Sequence, residues 1–288
     1  MSGYIKELSL RPSRFFPELS QTPADEEGLI CLGGDLTPEM VLDALTHGLF
    51  PWAVELGDLF YKIVQSNENQ NDVESERNCS EGENGFVRDA FWDEYSSRSL
   101  PTMEKIKSFL GWFSPDPRAI FDLETVRPTK RLSRTMRSGK FEVTFNQAFP
   151  EVVLACATAG SRALEQSWIT REFYNCYCQL FEMGYAISVE CWLPDSENAK
   201  VDGKTNGKRL VGGVYGVALN GFFDGESMFS VVTDASKVAL FSLIDRLKEN
   251  NFQLFDLQVL NDHTESLGGI EIPRSDYLQR LKRALSCC

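Results

Sequence analysis

Histidine and the usual metal-binding motifs are scarce in this sequence. Its 288 residues include only two histidines, His47 and His263, and its eight cysteines form no Cys-x-x-Cys pair. Structural zinc sites depend on such spacings, so no metal site is predicted. Most of the thiols are interpreted as small, buried apolar residues in a reducing compartment.

Long apolar runs and common enzyme signatures are missing as well. No stretch approaches the roughly 18 apolar residues that span a bilayer, and the N-terminus has no basic segment followed by an apolar one. We therefore expect a cytoplasmic location and no membrane partner. No P-loop, serine-hydrolase elbow or kinase signature is present. The glycines of Gly212–Gly216 lie inside a strand pattern without dinucleotide-binding spacing, and they predict close strand packing or close approach of a ligand.

Positive charge is in deficit, because the net charge is −13. That value argues against a nucleic-acid partner at first sight. Residues 51–100 alone, however, carry eleven acidic and four basic side chains. The core of this segment, 65–85, has almost no apolar residues and predicts a disordered insertion. The overall charge is therefore a poor guide to any one surface.

The remaining periodicity is typical of an α/β (α+β) protein. Thr37, Pro38 and Gly48 predict the start and end of a first helix, and Phe50-Pro51-Trp52 predicts a rigid turn. The predicted strands cover 187–193, 209–219, 222–230 and 254–260, and the predicted later helices cover about 129–137, 146–158, 170–183, 235–249 and 275 onward. The strands 209–219 and 222–230 are joined by a short turn, which indicates an antiparallel meander. Residues 112–118, with two prolines, predict an irregular, extended segment.

The helix at 129–137 has a basic face. Lys130, Arg134 and Arg137 share one side of it, Arg131 and Lys140 lie beside them, and no carboxylate interrupts residues 125–141. Such a face suits a phosphate backbone. A solvated helix surface explains the same residues.

Two tryptophans stand outside periodic apolar runs. Trp52 follows Phe-Pro, and Trp168 precedes a helix that Thr170 is predicted to cap. This context favours exposure and stacking on a nucleotide base. The alternative is that both tryptophans fill core.

A polar cluster is predicted near the end of the strand 254–260. Asp256 and Gln258 are two residues apart and therefore face the same side of a strand, and Glu226 lies in the strand ahead of the long helix. These groups form a candidate site. Alternatively, Asp256 and Gln258 only satisfy neighbouring backbone groups.

The order of motifs along the chain resembles the leucyl/phenylalanyl-tRNA–protein transferase family over nearly all residues except about 55–110. The motifs that carry the resemblance are Gly28-Leu-x-x-Leu-Gly-Gly-Asp-Leu36, Phe50-Pro-Trp52, Phe113-Ser-Pro-Asp-Pro-Arg118, Trp168-Ile-Thr170, Glu190-x-Trp192, Leu210-Val-Gly-Gly-Val-Tyr-Gly-Val217, Gly225-Glu-Ser-Met-Phe-Ser230, Ala235-Ser-Lys237, Asp256-x-Gln-Val-Leu-Asn-Asp-His-Thr264, Ser266-Leu-Gly268 and Ile272-Pro-Arg274.

The resemblance implies a small N-terminal domain over 1–116, containing the acidic insertion at about 56–108. It implies a C-terminal mixed-sheet domain of acetyltransferase-like (GNAT) fold over 117–288. The implied reaction moves Leu, Phe or Met from aminoacyl-tRNA to proteins that begin with Arg or Lys, in the N-degron pathway. No cofactor is implied, and the segment between Ser230 and Ala235 lacks the glycine-rich loop that would hold the pyrophosphate of coenzyme A.

The resemblance also assigns roles to individual residues. Trp52 and Trp168 are expected to sandwich the terminal adenosine, and the basic helix to hold the acceptor stem. Asp256 and Gln258 are the expected catalytic pair, with Glu226 nearby. The expected apolar pocket for the amino acid consists of Val214, where the family often has Met, together with Phe223, Met228 and Leu240.

The chemistry suggests how the catalytic pair works. An aminoacyl ester is already activated, so attack by an amine requires positioning and removal of a proton. We expect the Gln258 carbonyl oxygen to accept a hydrogen bond from the attacking amine, and Asp256 to orient that amide. Nearby carboxylates, Glu226 among them, favour a cationic Arg or Lys acceptor.

Three other functions compete with this interpretation. Two are enzymatic: an acetyl-CoA-dependent acetyltransferase, which the missing pyrophosphate loop disfavours, and an aminoacyl transferase of cell-wall synthesis. The third is an inactive tRNA-binding or adaptor protein. The joint presence of Asp256, Gln258 and Glu226 disfavours the adaptor.

Overall fold

The computed structural model describes residues 12–19, 28–55, 103, 108–159, 168–194 and 207–286. The predicted insertion at about 56–108 lies outside these ranges except at Met103 and Ser108, as do Cys79, Cys287 and Cys288. Its predicted disorder stays a prediction. The five described cysteines are all free thiols, and three of them are buried.

A three-stranded antiparallel sheet forms from the N-terminal part of the chain. Its order is β1-β3-β2, with β1 Leu29–Leu32, β2 Phe50–Glu55 and β3 Ser108–Phe113. Helix α1, Pro38–Thr46, begins as predicted, because the Thr37 hydroxyl accepts a hydrogen bond from the Met40 N–H. It ends before Gly48, whose φ of 87° suits a residue without a Cβ.

The predicted turn at Phe50-Pro51-Trp52 is wrong, because these residues open strand β2. The strand tolerates Pro51 because β2 is an edge strand with β3 as its partner in the sheet. A proline that lacks the N–H donor costs least at such an edge. Trp52 is consequently carried by a strand and is 37% exposed.

A seven-stranded mixed sheet forms the rest of the β-structure. Its order is β10-β4-β9-β8-β7-β6-β5. The strands are β4 Arg118–Phe121, β5 Glu142–Phe145, β6 Ala186–Pro194, β7 Lys208–Leu219, β8 Phe222–Ser230, β9 Leu254–Gln258 and β10 Ile270–Ile272. All neighbours are antiparallel except β8 and β9. The predicted meander is therefore confirmed.

Six further helices lie among the described residues after β3: α2 Lys130–Arg137, α3 Phe149–Thr158, α4 Arg171–Glu182, α5 Ala235–Glu249, α6 Asp262–Ser266 and α7 Arg274–Leu285. The Thr129 hydroxyl caps α2 by accepting a hydrogen bond from the Leu132 N–H. Thr170 is the N-cap residue of α4, but its hydroxyl donates to Glu172 Oε2. The position predicted for this cap is right and its hydrogen bond differs.

The large sheet has an apolar core on each face. On one face α5 packs against β6, β7 and β8, with Val214, Phe223 and Leu240 in that cluster. The other cluster joins α3, α4 and α7 to residues of α1 and the small sheet. Gly212 permits the close packing that its sequence context predicts, because a Cβ there would lie 2.6 Å from that of Ala235.

The observed architecture is mixed α/β, as predicted. The GNAT-like description and the domain boundary at 116/117 stay predictions. No helix among the described residues is long and apolar enough to cross a membrane.

Candidate active site

The candidate active site lies where the parallel strands β8 and β9 part. Their pairing covers Phe222–Asp224 and Leu254–Asp256. Strand β8 continues to Ser230, but no further β8–β9 pair is present among the described residues. The two strands are connected through α5, and crevices beyond such βαβ units commonly bind ligands. Glu226 follows the last pair on one strand and Gln258 follows it on the other.

A β-bulge directs Glu226. Gly216 pairs with Gly225 and Tyr215 pairs with Ser227, so Glu226 is the extra residue of β8. Bulges re-aim single side chains and are frequent beside active sites. Gly216 is required here, because a Cβ would collide with the carbonyl oxygen of Asp224.

The Glu226 carboxylate is partly buried and accepts a 2.6 Å hydrogen bond from the hydroxyl of Tyr177, on α4. Burial raises the pKa of Glu226 to about 7, although hydrogen bonds with Asp224, Tyr177 and Gln258 oppose the increase. Burial, followed by the charge of Glu226, raises the pKa of Tyr177 well above its usual value. The phenol therefore remains a donor, and Glu226 titrates near neutrality.

Asp256 is the centre of a buried ion pair. Its carboxylate accepts hydrogen bonds from Arg118 Nε at 2.9 Å and from Arg118 Nη2 at 2.6 Å. The Tyr277 hydroxyl and the Gln258 N–H donate at 2.7 and 2.8 Å. These four bonds fill the acceptor capacity of a carboxylate. Arg118, Asp256 and Tyr277 are each 0% exposed, so the network excludes solvent.

Gln258 stands at a strained end of β9. Its φ is 66°, and the Val259 N–H donates to the Leu257 carbonyl at 2.8 Å. This is a γ-turn of the rare positive-φ type. The side chain is 8% exposed, and its Nε2 lies 3.3 and 3.2 Å from the two carboxylate oxygens of Asp224.

Two expectations about this strand are wrong. The strand ends at Gln258 and does not continue to 260, because the left-handed residue breaks the ladder. Asp256 does not orient the Gln258 amide: it binds the backbone N–H of Gln258, and Asp224 binds the amide. Asp256, Gln258 and Glu226 nevertheless converge in one network.

The two candidate tryptophans lie side by side. The ring centroids of Trp52 and Trp168 are 5.7 Å apart with an interplanar angle of 38°. A base between two rings needs a separation of about 7 Å, twice the ordinary carbon contact distance. In this conformation the rings leave no such space, so a sandwich requires them to separate. Trp168 also packs edge-on against Phe173.

Phe50 connects the tryptophans to the polar network. Its ring centroid lies 6.2 Å from that of Trp52 and 4.7 Å from the guanidinium carbon of Arg118. That guanidinium is bound to Asp256. The tryptophan pair and the residues around Gln258 therefore belong to one contiguous region.

The four apolar residues expected to form a pocket share one cluster, on the α5 face of the sheet. Val214 pairs with Met228 across β7 and β8. Val214, Phe223 and Leu240 are buried, and Met228 is the partly exposed member. Met228 is therefore the member whose side chain solvent reaches.

The basic residues of α2 lie at the surface. Lys130, Arg131, Arg134, Arg137 and Lys140 are all exposed. Arg131 pairs with Asp234 at 3.0 Å, and the Lys140 ammonium lies 4.8 Å from the centroid of the Phe141 ring. Within the part of the chain that the structure describes, no salt bridge neutralises Lys130, Arg134 or Arg137, as a phosphate-binding surface requires.

Four residues of the network were not identified as site residues from the sequence: Arg118, Tyr177, Asp224 and Tyr277. Arg118 ends the Phe-Ser-Pro-Asp-Pro-Arg motif, and Asp224 directly precedes Gly225-Glu226; these positions were the available signals. Tyr177 and Tyr277 lie in amphipathic helices and cannot be distinguished there from ordinary core residues.

A family model and individual relatives match this chain, and all have the same family description. Residues 120–282 match the family model described as leucyl/phenylalanyl-tRNA protein transferase. A protein of that name from Gloeobacter violaceus is 43% identical over 67% of this chain and 90% of its own length. The protein of the same name from Desulforapulum autotrophicum is 34% identical over 91% of this chain and 86% of its own length. The one from Vibrio vulnificus is 33% identical over 98% of this chain and 90% of its own length.

Among solved structures, that of FemX aligns with a TM-score of 0.38 and 12% identity, over 57% of this chain and 64% of that chain. A likeness of this degree supports no conclusion about the fold.

Proposed function

The chain belongs to the leucyl/phenylalanyl-tRNA protein transferase family and is an aminoacyltransferase, and we propose that it moves Leu, Phe or Met onto the N-terminal Arg or Lys of acceptor proteins. The donor in this family is an aminoacyl-tRNA. The product would be a protein marked for degradation through the N-degron pathway, in the cytoplasm.

One observation carries the proposal: an amide and two carboxylates meet at the opening between β8 and β9. Gln258, Glu226 and Asp224 are joined there by hydrogen bonds. Met228 follows Glu226 by two residues on β8 and packs in the apolar cluster under α5, and Phe50 connects the polar network to the tryptophan pair. This arrangement suits an aminoacyl ester whose side chain is apolar and whose far end is a nucleoside.

The proposed chemistry needs no covalent enzyme intermediate. The acceptor enters as an ammonium ion, and loss of one proton makes it a nucleophile. Its nitrogen then forms a bond to the ester carbonyl carbon, and the bond from that carbon to the terminal ribose oxygen breaks. The ribose oxygen takes up the second proton that the nitrogen releases, so the products are an amide and a free tRNA hydroxyl.

The site residues have separate roles in this scheme. The Gln258 carbonyl oxygen accepts a hydrogen bond from the attacking amine and aims its lone pair. Glu226 has a pKa of about 7, near the value that suits a general base at neutral pH, and it accepts the first proton. Its negative charge also favours a cationic acceptor. Asp256 has no lone pair left for proton transfer, and it holds the backbone at Gln258.

The aminoacyl-tRNA has two proposed contact regions. Trp52 and Trp168 stack on the terminal adenosine after the rings separate, and Lys130, Arg131, Arg134, Arg137 and Lys140 contact acceptor-stem phosphates. The apolar pocket is formed by Val214, Phe223, Met228 and Leu240. Val214 pairs with Met228 across β7 and β8. Its short, branched side chain gives the pocket a different shape from that formed by the Met that the family often has at this position.

The test uses leucyl-tRNA with a labelled amino acid and two peptides that differ in the first residue, Arg or Ala. We expect label on the Arg peptide and none on the Ala peptide. Peptides that begin with Lys, and charged phenylalanyl-, methionyl- and valyl-tRNA, define the acceptor and donor ranges. Label on neither peptide, with tRNA still bound, would replace the proposal with the adaptor function.

A further inference from the structure

We propose that Asp224 is a positioning residue that fixes the side-chain amide of Gln258, so that the amide oxygen faces the acceptor amine. The inference deepens the proposed function and rests on it. Asp224 lies in β8 at the last pair with β9, directly before the strands part. It is 0% exposed, so it acts through Gln258 and not by contact with substrate.

The hydrogen bonds single out Asp224 for this role. Gln258 Nε2 lies within 3.3 Å of both Asp224 carboxylate oxygens. A hydrogen bond with Gln258 also lowers the pKa of the Glu226 carboxyl group. An amide nitrogen only donates and an amide oxygen only accepts, so Asp224 holds the amide by its nitrogen. The carbonyl oxygen is the part of the amide that remains to meet a substrate.

Asp256 does not replace Asp224 in this role. Its four hydrogen bonds go to the Arg118 guanidinium, the Tyr277 hydroxyl and the Gln258 backbone N–H. It therefore fixes the main chain of Gln258 only. The side chain needs its own anchor.

The backbone at Gln258 makes that anchor necessary. With φ at 66° the residue is outside the β-region, and strand alternation no longer determines the direction of its side chain. A positive φ at a residue other than glycine persists only where its surroundings enforce it. The two aspartates provide this: Asp256 binds the N–H and Asp224 binds the amide.

Asp224 interacts with two neighbours at once, Glu226 and the Gln258 amide. Burial raises the pKa of Asp224 well above its usual value, and the charges of Glu226 and Asp256 raise it further against the opposing effect of Arg118. The raised pKa favours the protonated form, which has one O–H to donate to Glu226 and one oxygen to accept from the Gln258 amide. An asparagine side chain can form both of these bonds, because it has one donor group and one acceptor.

The similarity between a protonated Asp and an Asn side chain determines which substitutions of Asp224 to compare. Asp224→Ala removes the anchor, whereas Asp224→Asn retains it. Glu190→Gln is the matched control. Glu190 is a fully buried carboxylate in β6, three strands from β9, that accepts hydrogen bonds from Thr144 and Ser188. Asp224→Leu, which has nearly the same shape without polar atoms, replaces the alanine variant if that variant does not fold.

The measurement is single-turnover transfer of leucine from saturating leucyl-tRNA to a peptide that begins with Arg. We expect Asp224→Ala to lower the maximal transfer rate constant about 10²-fold, an effect that misplacement of a reacting group can produce. The peptide concentration that gives half this rate should change little. Asp224→Asn should retain a rate within a few-fold of wild type, and Glu190→Gln should retain the wild-type rate.

A double-variant cycle separates positioning from a purely structural effect. If Asp224 acts through Gln258, adding Asp224→Ala to Gln258→Ala should lower the rate no further, because coupled residues are not additive. The inference is overturned by a fully active Asp224→Ala, by an equally slow but folded Asp224→Asn, or by independent losses in the cycle. A wild-type protein that labels no peptide would instead overturn the proposed function.

Discussion

At the scale of single residues, the buried pair of Arg118 and Asp256 stabilises the fold and also positions the backbone of Gln258. The network holds the main chain at Gln258 and also links β4, β9 and α7 through Arg118, Asp256 and Tyr277. Burial disfavours the charged form of Arg118, but Asp256 more than compensates and raises the pKa of the guanidinium above its usual value. The Arg118 guanidinium therefore stays charged.

We predict that Asp256→Ala is primarily a folding defect. It leaves a buried guanidinium without its partner, which costs about 3–5 kcal/mol, and removes the acceptor of the Tyr277 hydroxyl. Denaturant unfolding measures the loss. The control is Asp122→Ala, because Asp122 faces Arg280 at 4.0 Å near the surface and is expected to change stability by less than about 1 kcal/mol. Equal, small losses in both variants would contradict the assignment.

Glu226 predicts a pH dependence of stability. Because burial raises its folded-state pKa to about 7 from the usual value of 4.5, the folded protein binds more protons than the unfolded chain between these values. The stabilising effect of that proton is fully present below about pH 4.5, and is lost as the pH rises through about 7. The free energy of unfolding of wild type should therefore fall relative to that of Glu226→Gln over this window. Parallel stability curves would contradict the shift.

At the scale of secondary-structure elements, helix α2 is a separate, exposed unit whose positive face does not depend on the active site. Lys130 and Arg134 lie on this face, and α2 is anchored by the buried Leu132. Substitution of exposed residues there should leave the fold unchanged. The helix is therefore a direct test of the tRNA contact.

We predict that Lys130→Ala with Arg134→Ala weakens aminoacyl-tRNA binding and reduces the slope of log K against log salt by about one for each lost phosphate contact. Lys282→Ala with Arg283→Ala, an equal change of charge on the exposed part of α7, is the control. Titrations at several salt concentrations give the slopes. The same slope for α2 variant and wild type would exclude this helix from the tRNA interface.

Most elements follow from local sequence signals, and the exceptions have physical reasons. The helix beginning at Pro38 and the strands from 186 to 230 match their patterns because caps and alternation are local. Strand β2 was missed because Pro51 is a turn residue unless the strand is at an edge, and edges depend on the whole sheet. The end of β9 was missed because the positive φ of Gln258 is enforced by a buried network. Asp256 is held in that network by Arg118 and Tyr277, which are distant in sequence.

At the scale of the whole molecule, the site depends on contacts between distant parts of the chain. Arg118 and Asp256 are 138 residues apart, and Tyr177 and Glu226 belong to different elements. The sequence motifs indicated Asp256, Gln258 and Glu226 as site residues. They did not indicate which carboxylate meets which donor, because that depends on strand order, on the bulge at Glu226 and on the point where β8 and β9 part.

In the proposed mechanism Gln258, at the opening between β8 and β9, directs the acceptor amine. The most direct measurement is single-turnover leucine transfer by Gln258→Ala, together with its affinity for leucyl-tRNA. We expect a rate about 10²-fold below wild type, with unchanged tRNA affinity and a normal fold. A folded Gln258→Ala protein that transfers leucine at the wild-type rate would contradict it.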